Sequence, residues 1–468
     1  MDKTRLVPLI VATALFMENT DSTVIATSLP AIAGSLGEDP LALKLALTSY
    51  LVSLAVFIPV SGWMADRFGA RTVFRAALGV FMAGSLACAA ANSLLGFVLA
   101  RFLQGAGGAM MVPVGRLVIL RSIPRAELVS ALAYLTVPAL IGPVVGPPLG
   151  GFITTHFDWR WIFFINIPVG VLGIVLATRY IEDLREPDPP PLDVTGFLLS
   201  AFGLAALMLG LATGGRHLVP VWVSVVSAAA GVLALLAYIR HAGRVPYPVV
   251  KLALFRAPSF RASVIGGSLF RVGIGATPLL LPLLFQIGFG LDPFQSGMLT
   301  FAGAVGAIFI KTVASRVLRA YGFRTVLMVN AVVASASIAA SGLFTPATPT
   351  WLILGMLLVG GCFRSLQFTA LNAIAFAEIG PRDMSYATSL TSVAQQVSLS
   401  VGVALGAAVL ERVGHGAALT ADDFWPAFLM VGGVAALSSL VFTRLDPEAG
   451  ADLAGRTAAR AKGTGDPQ

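Results

Sequence analysis

Long apolar runs separated by short polar loops fill almost the whole chain. The first run extends from Leu6 to Leu29 and is closed by Pro30. At a helical rise of about 1.5 Å per residue, a run of this length crosses a hydrocarbon core of about 30 Å. We count fourteen such runs, so the pattern predicts an all-α membrane protein with fourteen transmembrane helices.

The loops divide these runs into two halves and a central pair. A charged, proline-rich segment (REPDPPP) follows the sixth run, and a basic segment that contains prolines follows the eighth. Because proline keeps such segments extended, each marks a boundary. The predicted units are an N-terminal six-helix bundle (1–180), a cytoplasmic linker (181–193), a two-helix insert (194–240), a cytoplasmic loop (241–262), a C-terminal six-helix bundle (263–443) and a disordered cytoplasmic tail (444–468).

A short internal repeat indicates that the two halves are related. DRFGARTVF follows the second run and RAYGFRTVL follows the tenth, so that Gly69 matches Gly322 and Arg71 matches Arg324 at one offset. Parallel repeats of six helices are a plan found in membrane transporters.

Composition and charge narrow the class further. Hydrophobic residues make up 57% of the chain and charged residues 12%, whereas soluble domains carry about 25% charged residues. The net charge of +8 does not indicate nucleic-acid binding, because the arginines lie in short loops between apolar runs. Cys88 and Cys362 lie inside apolar runs, so we expect no disulfide, no metal site and no cofactor.

Positive charge also sets the orientation. With the N-terminus inside, most of the 31 Lys and Arg residues fall on the inner side. The outer exceptions are Lys44, Arg160, Arg216 and Arg412. The positive-inside rule therefore predicts a multi-pass membrane protein with both termini in the cytoplasm.

Two carboxylates, Glu18 and Asp21, interrupt the first run near its middle. A charge at that depth costs about 2.5–3.5 kcal/mol on insertion scales, and such residues usually mark ion or proton pathways. The pair is at i, i+3, so the two acids share a helix face and should titrate as a coupled pair. They could carry protons or attract a cationic substrate; the alternative is that one acid only fixes helix packing by pairing with an arginine.

Arg101 lies inside the fourth run, and Gln104 follows one turn later on the same face. A buried guanidinium needs an anionic or carbonyl partner, which Asp21 or Glu18 could supply. We expect Asp21, Glu18 and Arg101 to form a proton-coupling group. The alternative is an arginine whose side chain reaches the outer surface.

The loop after the second run reads GWMADRFGARTVF. Its glycines permit a tight turn, and its charges could hold the two halves together in one conformation and release them in another. The predicted gating residues are Gly62, Asp66, Arg67, Gly69 and Arg71. The alternative is that the arginines only anchor the topology.

In the fifth run, GPVVGPPLGG places small residues four apart on one face. Such a face permits close helix packing, while the prolines bend the helix. The residues expected at this hinge are Gly142, Gly146, Pro147, Gly150 and Gly151.

Polar residues in the fourth run and in the second half predict a substrate cavity. The candidate lining residues are Gln104, Arg271, Arg364, Gln367 and Asn372. Cations among them could bind an anionic substrate, although the phenylalanines and methionines nearby are mostly typical of a packed core.

Four stretches resemble the major facilitator superfamily. GWMADRFGARTVF is similar to its cytoplasmic loop signature, and ARFLQGAGGAMMVPVGR resembles the fourth-helix pattern of its proton-coupled members. GPVVGPPLGG is similar to the fifth-helix antiporter signature, and TDSTVIATSLP to the first-helix motif of the fourteen-helix drug–proton antiporters of the QacA and EmrB type. The resemblance extends over essentially the whole chain and includes the MdtD-like multidrug transporters. It implies a major facilitator fold with two six-helix bundles and a two-helix insert.

This chain departs from the resembling family at two positions. Ala26 stands where the first-helix motif usually has Asn, and Glu18 is an additional acid that leaves the proton stoichiometry open.

The sequence therefore predicts a proton-coupled antiporter, not an enzyme, that exports hydrophobic compounds, cationic ones among them. Its expected partners are small-molecule substrates, protons and the lipid bilayer, with no nucleic acid, and we expect a monomer. One alternative is a proton-driven exporter of an organic anion or a metal-citrate-like chelate. Others are an importer, or a membrane sensor or intramembrane enzyme, for which the chain has no recognisable motif.

Overall fold

The described part of the chain folds into fourteen long helices. The computed structural model describes residues 3–123, 128–183, 185–186, 189–214, 219–380, 383–414 and 419–451, and none of these residues forms a strand. The helices are α1 (Lys3–Leu36), α2 (Lys44–Phe68), α3 (Ala70–Ala90), α4 (Leu94–Ser122), α5 (Leu128–His156), α6 (Asn166–Tyr180), α7 (Val194–Thr213), α8 (Val221–Ala242), α9 (Pro258–Leu283), α10 (Pro293–Phe309), α11 (Ala314–Ala340), α12 (Thr350–Ile374), α13 (Met384–Val413) and α14 (Phe424–Ala436).

The all-α membrane fold is confirmed. In the described part of the chain, 13 helical segments are long and apolar enough to cross a membrane. The helix outside that set is α5, which has 29 residues and coincides with the fifth predicted run.

Helix α1 continues beyond the apolar run Leu6–Leu29 and ends at Leu36, with Pro8 and Pro30 inside it. Proline has a backbone φ that suits a helix, and within a bundle the neighbouring helices and side chains can satisfy the carbonyl group that it leaves without a donor. Helices α6 and α14 are each extended by a short segment, Trp161–Phe164 before α6 and Ser438–Phe442 after α14.

Helices of the two halves meet along two seams. Within the first half, α1 packs on α5, and α4 packs on α2 and α3; within the second half, α9 packs on α13 and α10 on α12. Between the halves, α5 packs on α10 and α2 packs on α13. The remaining pair, α7 and α8, packs together, and α7 contacts both α2 and α13. The boundaries drawn from the sequence agree with this arrangement but stay predictions, and residues 452–468 of the predicted tail lie outside the described residues.

The internal repeat is visible in the backbone. Gly69, between α2 and α3, has φ 91°, and Gly322, at a kink within α11, has φ 76°. Residues with a Cβ rarely adopt this left-handed region, which explains why both copies carry glycine. At Gly69 an added Cβ would also meet the Asp183 side chain.

The two halves are joined at one end by polar contacts. At the start of α2, Lys44 Nζ donates to Glu411 Oε1 in the last turn of α13 at 2.7 Å. Beyond the end of α9, Gln286 Nε2 donates to the carbonyl oxygen of Thr27 in α1 at 2.8 Å. We call this end the outer end, because the charge distribution predicts that it faces outside.

Candidate functional site

Asp21 lies at the centre of a buried hydrogen-bonded cluster in the first half. Its Oδ2 accepts from Arg101 Nη1 at 2.7 Å, and the exposed fractions of the two side chains are 2% and 1%. Its Oδ1 accepts from Gln104 Nε2 at 2.8 Å and from Asn166 Nδ2 at 2.8 Å. Ser85 Oγ accepts from the same two amide groups at 2.8 and 3.1 Å. Three helices, α1, α4 and α6, therefore meet at one carboxylate, and α3 joins the cluster through Ser85.

Arg101 has partners beyond the carboxylate. Its Nη1 also donates to Gln104 Oε1, and its guanidinium carbon lies 4.4 Å from the centre of the Tyr50 ring on α2. A buried charge pair needs further hydrogen bonds to offset its desolvation. Gln104 and Asn166 supply them to the carboxylate, whereas Arg101 Nε is buried without a hydrogen-bond partner. The expectation that Arg101 pairs with an acid of the first helix agrees with this geometry, and the alternative of an arginine that reaches the surface does not.

Glu18, one turn before Asp21, lies in a different environment. Its Oε2 is buried and has no hydrogen-bond partner, and the hydroxyl group of Tyr50 is likewise buried without one. Asp21 is therefore ion-paired with Arg101, whereas the buried Oε2 of Glu18 has no hydrogen-bond partner.

A cavity of about 420 Å³ lies between the halves, lined by α1, α5, α9, α10 and α12. Ser22 and Thr23, which follow Asp21 directly, form part of its wall. It extends to Lys311, beyond the end of α10, and includes Arg364 and Asn372 of α12. No Asp or Glu of the described residues lines it.

Two of the predicted lining residues, Arg364 and Asn372, lie on the cavity wall. Arg271 is buried behind it: its Nη2 donates to Asn372 Oδ1 at 3.4 Å, and its guanidinium carbon lies 5.5 Å from the Phe368 ring centre. Its Nε and Nη1 are buried without a hydrogen-bond partner.

Two other predicted lining residues lie away from the cavity, and we correct their assignment. Gln104 is fully buried in the Asp21 cluster. Gln367 is fully buried between α12 and α11, where it accepts from Asn330 Nδ2 at 2.8 Å and donates to the Leu327 carbonyl oxygen at 3.1 Å. A single apolar helix shows no polar face, so the sequence could not tell which polar residues point inwards.

The small-residue face of α5 packs directly on α1. An added Cβ at Gly142 would meet Asn19 and Thr20, and one at Gly146 would meet Thr23. The glycines therefore allow α5 to pack closely on the stretch of α1 that contains Asp21. Gly150 continues this face against Val24 and Thr27, and Gly151 and Pro147 instead contact Pro293 and Gly297 of α10.

The side-chain contacts of the predicted gating residues Asp66 and Arg71 are with other residues of the first half. Asp66 Oδ1 accepts from Arg121 Nη2 of α4 at 2.7 Å, and both side chains are 27% exposed. Arg71 Nη1 donates to the Ile181 carbonyl oxygen at 3.4 Å. Gly62 is half-buried and Arg67 is exposed. In the described part of the chain, the bonds of Asp66 and Arg71 stay within the first half, and the polar contacts described above that join the halves lie at the outer end.

Sequence reasoning missed several residues of the site. Asn166 and Ser85 complete the Asp21 cluster, and Lys44 and Glu411 join the halves. A signal existed for Asn166, which is an isolated amide within the apolar stretch WIFFINIPVGVLGI. No group of His, Cys, Asp and Glu able to hold a metal ion occurs in the described part of the chain.

Comparisons with known proteins place this geometry in a family. The model of the major facilitator superfamily matches residues 11–402 and 263–464. The chain belongs to the major facilitator superfamily. It is 36% identical over 455 residues to a Salmonella typhimurium protein named "Putative multidrug resistance protein MdtD", covering 95% of each chain. A Yersinia pestis protein of the same name is 37% identical over 451 residues, covering 95% of this chain and 96% of the relative.

Solved structures agree with the fold. A D-xylose-proton symporter superposes with a TM-score of 0.68 at 15% identity, covering 95% of this chain and 98% of the symporter. This major facilitator protein is therefore a multi-pass membrane transporter with an interior cavity of the kind that takes small molecules.

Proposed function

We propose that this chain is a proton-coupled antiporter of the inner membrane that exports hydrophobic compounds. The observation that carries the proposal is the Asp21 cluster: a buried carboxylate bonded to a buried guanidinium, one residue from the cavity wall. The name of the relatives, which refers to multidrug resistance, supports efflux as the direction.

The cluster suggests how protons could drive transport. When ionised, Asp21 holds together helices α1, α4 and α6 through its two oxygens. Protonation removes the charge that Arg101 pairs with, and a buried cation without its anion is unstable. Helix α1, which carries both Asp21 and the cavity-lining Ser22, can then shift against α5 along the glycine face. Proton binding and substrate release would thereby be linked in one helix.

Proteoliposomes test this proposal. Purified protein is reconstituted with a pH-sensitive dye inside, and ethidium, chloramphenicol, citrate and carboxyfluorescein are added in turn. We expect the flux of at least one compound to drive protons in the opposite direction across the membrane. An imposed pH gradient should in turn drive that compound against its own concentration gradient. Transport that proceeds equally with and without a pH gradient, or compound and protons moving in the same direction, would contradict antiport.

A second candidate function, export of an organic anion or a metal-citrate-like chelate, is favoured by the charge of the cavity. Lys311 and Arg364 line it, Arg271 lies behind the wall, and no acidic residue among the described ones lines it. Such a cavity attracts carboxylates and repels cations. The positive charge of the cavity counts against a cationic substrate, so neutral and anionic compounds are the remaining candidate substrates.

Substitution of the cavity cations distinguishes an anionic substrate from a neutral one. Lys311→Gln and Arg364→Gln are each expected to raise the KM for citrate or carboxyfluorescein about tenfold, because each removes a charge-assisted hydrogen bond. Chloramphenicol transport should change little. Arg316→Gln, which removes an equal charge from an exposed position outside the cavity, is the matched control. Equal effects on anionic and neutral compounds would remove the anion candidate.

A further inference from the structure

A basic segment connects α8 to α9. Residues 240 to 261 contain no Asp or Glu, and their five Lys and Arg residues are Arg240, Arg244, Lys251, Arg256 and Arg261. The positive-inside rule explains the sign of this charge but gives no reason for a cavity within it.

A cavity of about 790 Å³ lies beneath this segment, separate from the transport cavity. Lys251, Arg256 and Arg261 line it together with Tyr247 and Tyr386. No acidic residue is part of its described wall. Three cations and two tyrosine rings thus surround one pocket.

The arginines of this pocket have no counter-ion in the described structure. Lys251 Nζ is paired with Asp383 Oδ1 at 2.7 Å. Arg256 and Arg261 are exposed and form no ion pair with another described residue. The pocket therefore presents two free guanidinium groups, whose planar donors suit a phosphate group.

The pocket lies where helices leave the hydrocarbon layer. It is flanked by the end of α8 and the start of α9, and the segment is held in place by Leu254 and Phe260, which are buried with Tyr238. Tyrosine rings with one apolar and one polar end are typical of the headgroup level.

An exposed apolar ridge of α8 leads into this pocket. Leu233, Leu236 and Ile239 are 66%, 56% and 52% exposed. They are spaced three residues apart on one side of the helix, and Ile239 is itself part of the pocket wall. Acyl chains can lie along this ridge while their headgroup reaches the arginines.

We propose that this pocket binds the phosphate headgroup of an anionic phospholipid. The guanidinium groups of Arg256 and Arg261 hold the phosphate, and the α8 ridge holds the acyl chains. The ridge favours a lipid over a soluble phosphate ester, which would leave this apolar surface unused. The pocket contacts α8 and also Tyr386 of α13, so the bound lipid bridges the central helix pair and the second half.

Native mass spectrometry of the full-length protein in detergent tests the site independently of membrane orientation and transport. Phosphatidylglycerol, phosphatidylcholine with the same acyl chains, and glycerol 3-phosphate are titrated separately. We expect phosphatidylglycerol to bind about tenfold more tightly than phosphatidylcholine, since cationic clusters at this level select anionic lipids. Glycerol 3-phosphate is expected to bind much more weakly than the lipid.

Two double variants give the decisive comparison. R256Q/R261Q removes two charges from the pocket wall, and R240Q/R244Q removes two charges from exposed positions of the same segment outside the wall. We expect the first to weaken phosphatidylglycerol binding about tenfold and the second less than twofold. Equal losses in both would mean general charge attraction and overturn the site, as would unchanged binding in R256Q/R261Q. Glycerol 3-phosphate binding as tightly as the lipid would overturn the lipid assignment.

Discussion

The Asp21→Asn protein is expected to lose proton-driven transport by at least about 100-fold. The new amide cannot exchange a proton, and it leaves Arg101, which is 1% exposed, without an anion. Removing one partner of a buried ion pair costs about 3–5 kcal/mol, which corresponds to a factor of 10² or more. Uptake driven by a pH gradient in proteoliposomes measures the loss, and the melting temperature of the purified protein measures stability.

Two further variants make this result interpretable. Glu18→Gln is the matched control, because it makes the same chemical change one turn earlier on the same helix. We expect its transport to respond less to pH but not to be abolished, because Glu18 has no part in the Asp21 cluster. D21N/R101Q removes both charges, so no uncompensated ion is left to unfold the bundle. A folded double variant that still couples transport to the pH gradient would exclude Asp21 as the proton carrier.

Much of the cluster could be predicted because charge in an apolar run is rare. Asp21 and Arg101 each stood out against helices that are otherwise almost uncharged, and the energy of burying either one required a partner. The glycine face of α5 was predictable for a related reason, since its spacing of four residues defines one side of a helix.

The remaining features depend on which way each helix faces. Membrane helices are apolar all round, so periodicity does not show whether Gln104 or Gln367 points to the cavity. In the structure, Gln104 bonds to Asp21 and Gln367 to Asn330, and neither is on the cavity wall. Lys44 and Glu411 are separated by 367 residues. Only the packing of α2 on α13 brings them together, and a single sequence does not contain that information.

We expect the buried pair at the outer end to stabilise the conformation in which that end is closed. Lys44 and Glu411 are 1% and 5% exposed and belong to opposite halves. If the outer end opens, both charges become hydrated, so their pairing matters only while that end is closed. Lys44→Met removes this cation from the Glu411 carboxylate and so destabilises the closed form, whereas in the open form water hydrates the carboxylate. We therefore expect Lys44→Met to shift the population towards an outward-open form.

Spin-label distances between the halves measure this shift. Labels at Glu38→Cys and Asp422→Cys, both exposed, report the separation of the outer ends. Cys362 is replaced by Ser, and Cys88 is buried, which restricts access of the label to its thiol. We expect a longer distance in Lys44→Met and a distance close to that of the unsubstituted pair in K44M/E411L, where apolar packing replaces both charges. That double variant is the control for lost charge as such. If Lys44→Met keeps the short distance while remaining folded, the pair contributes nothing to closure and the outer end must be held by the helix seams alone.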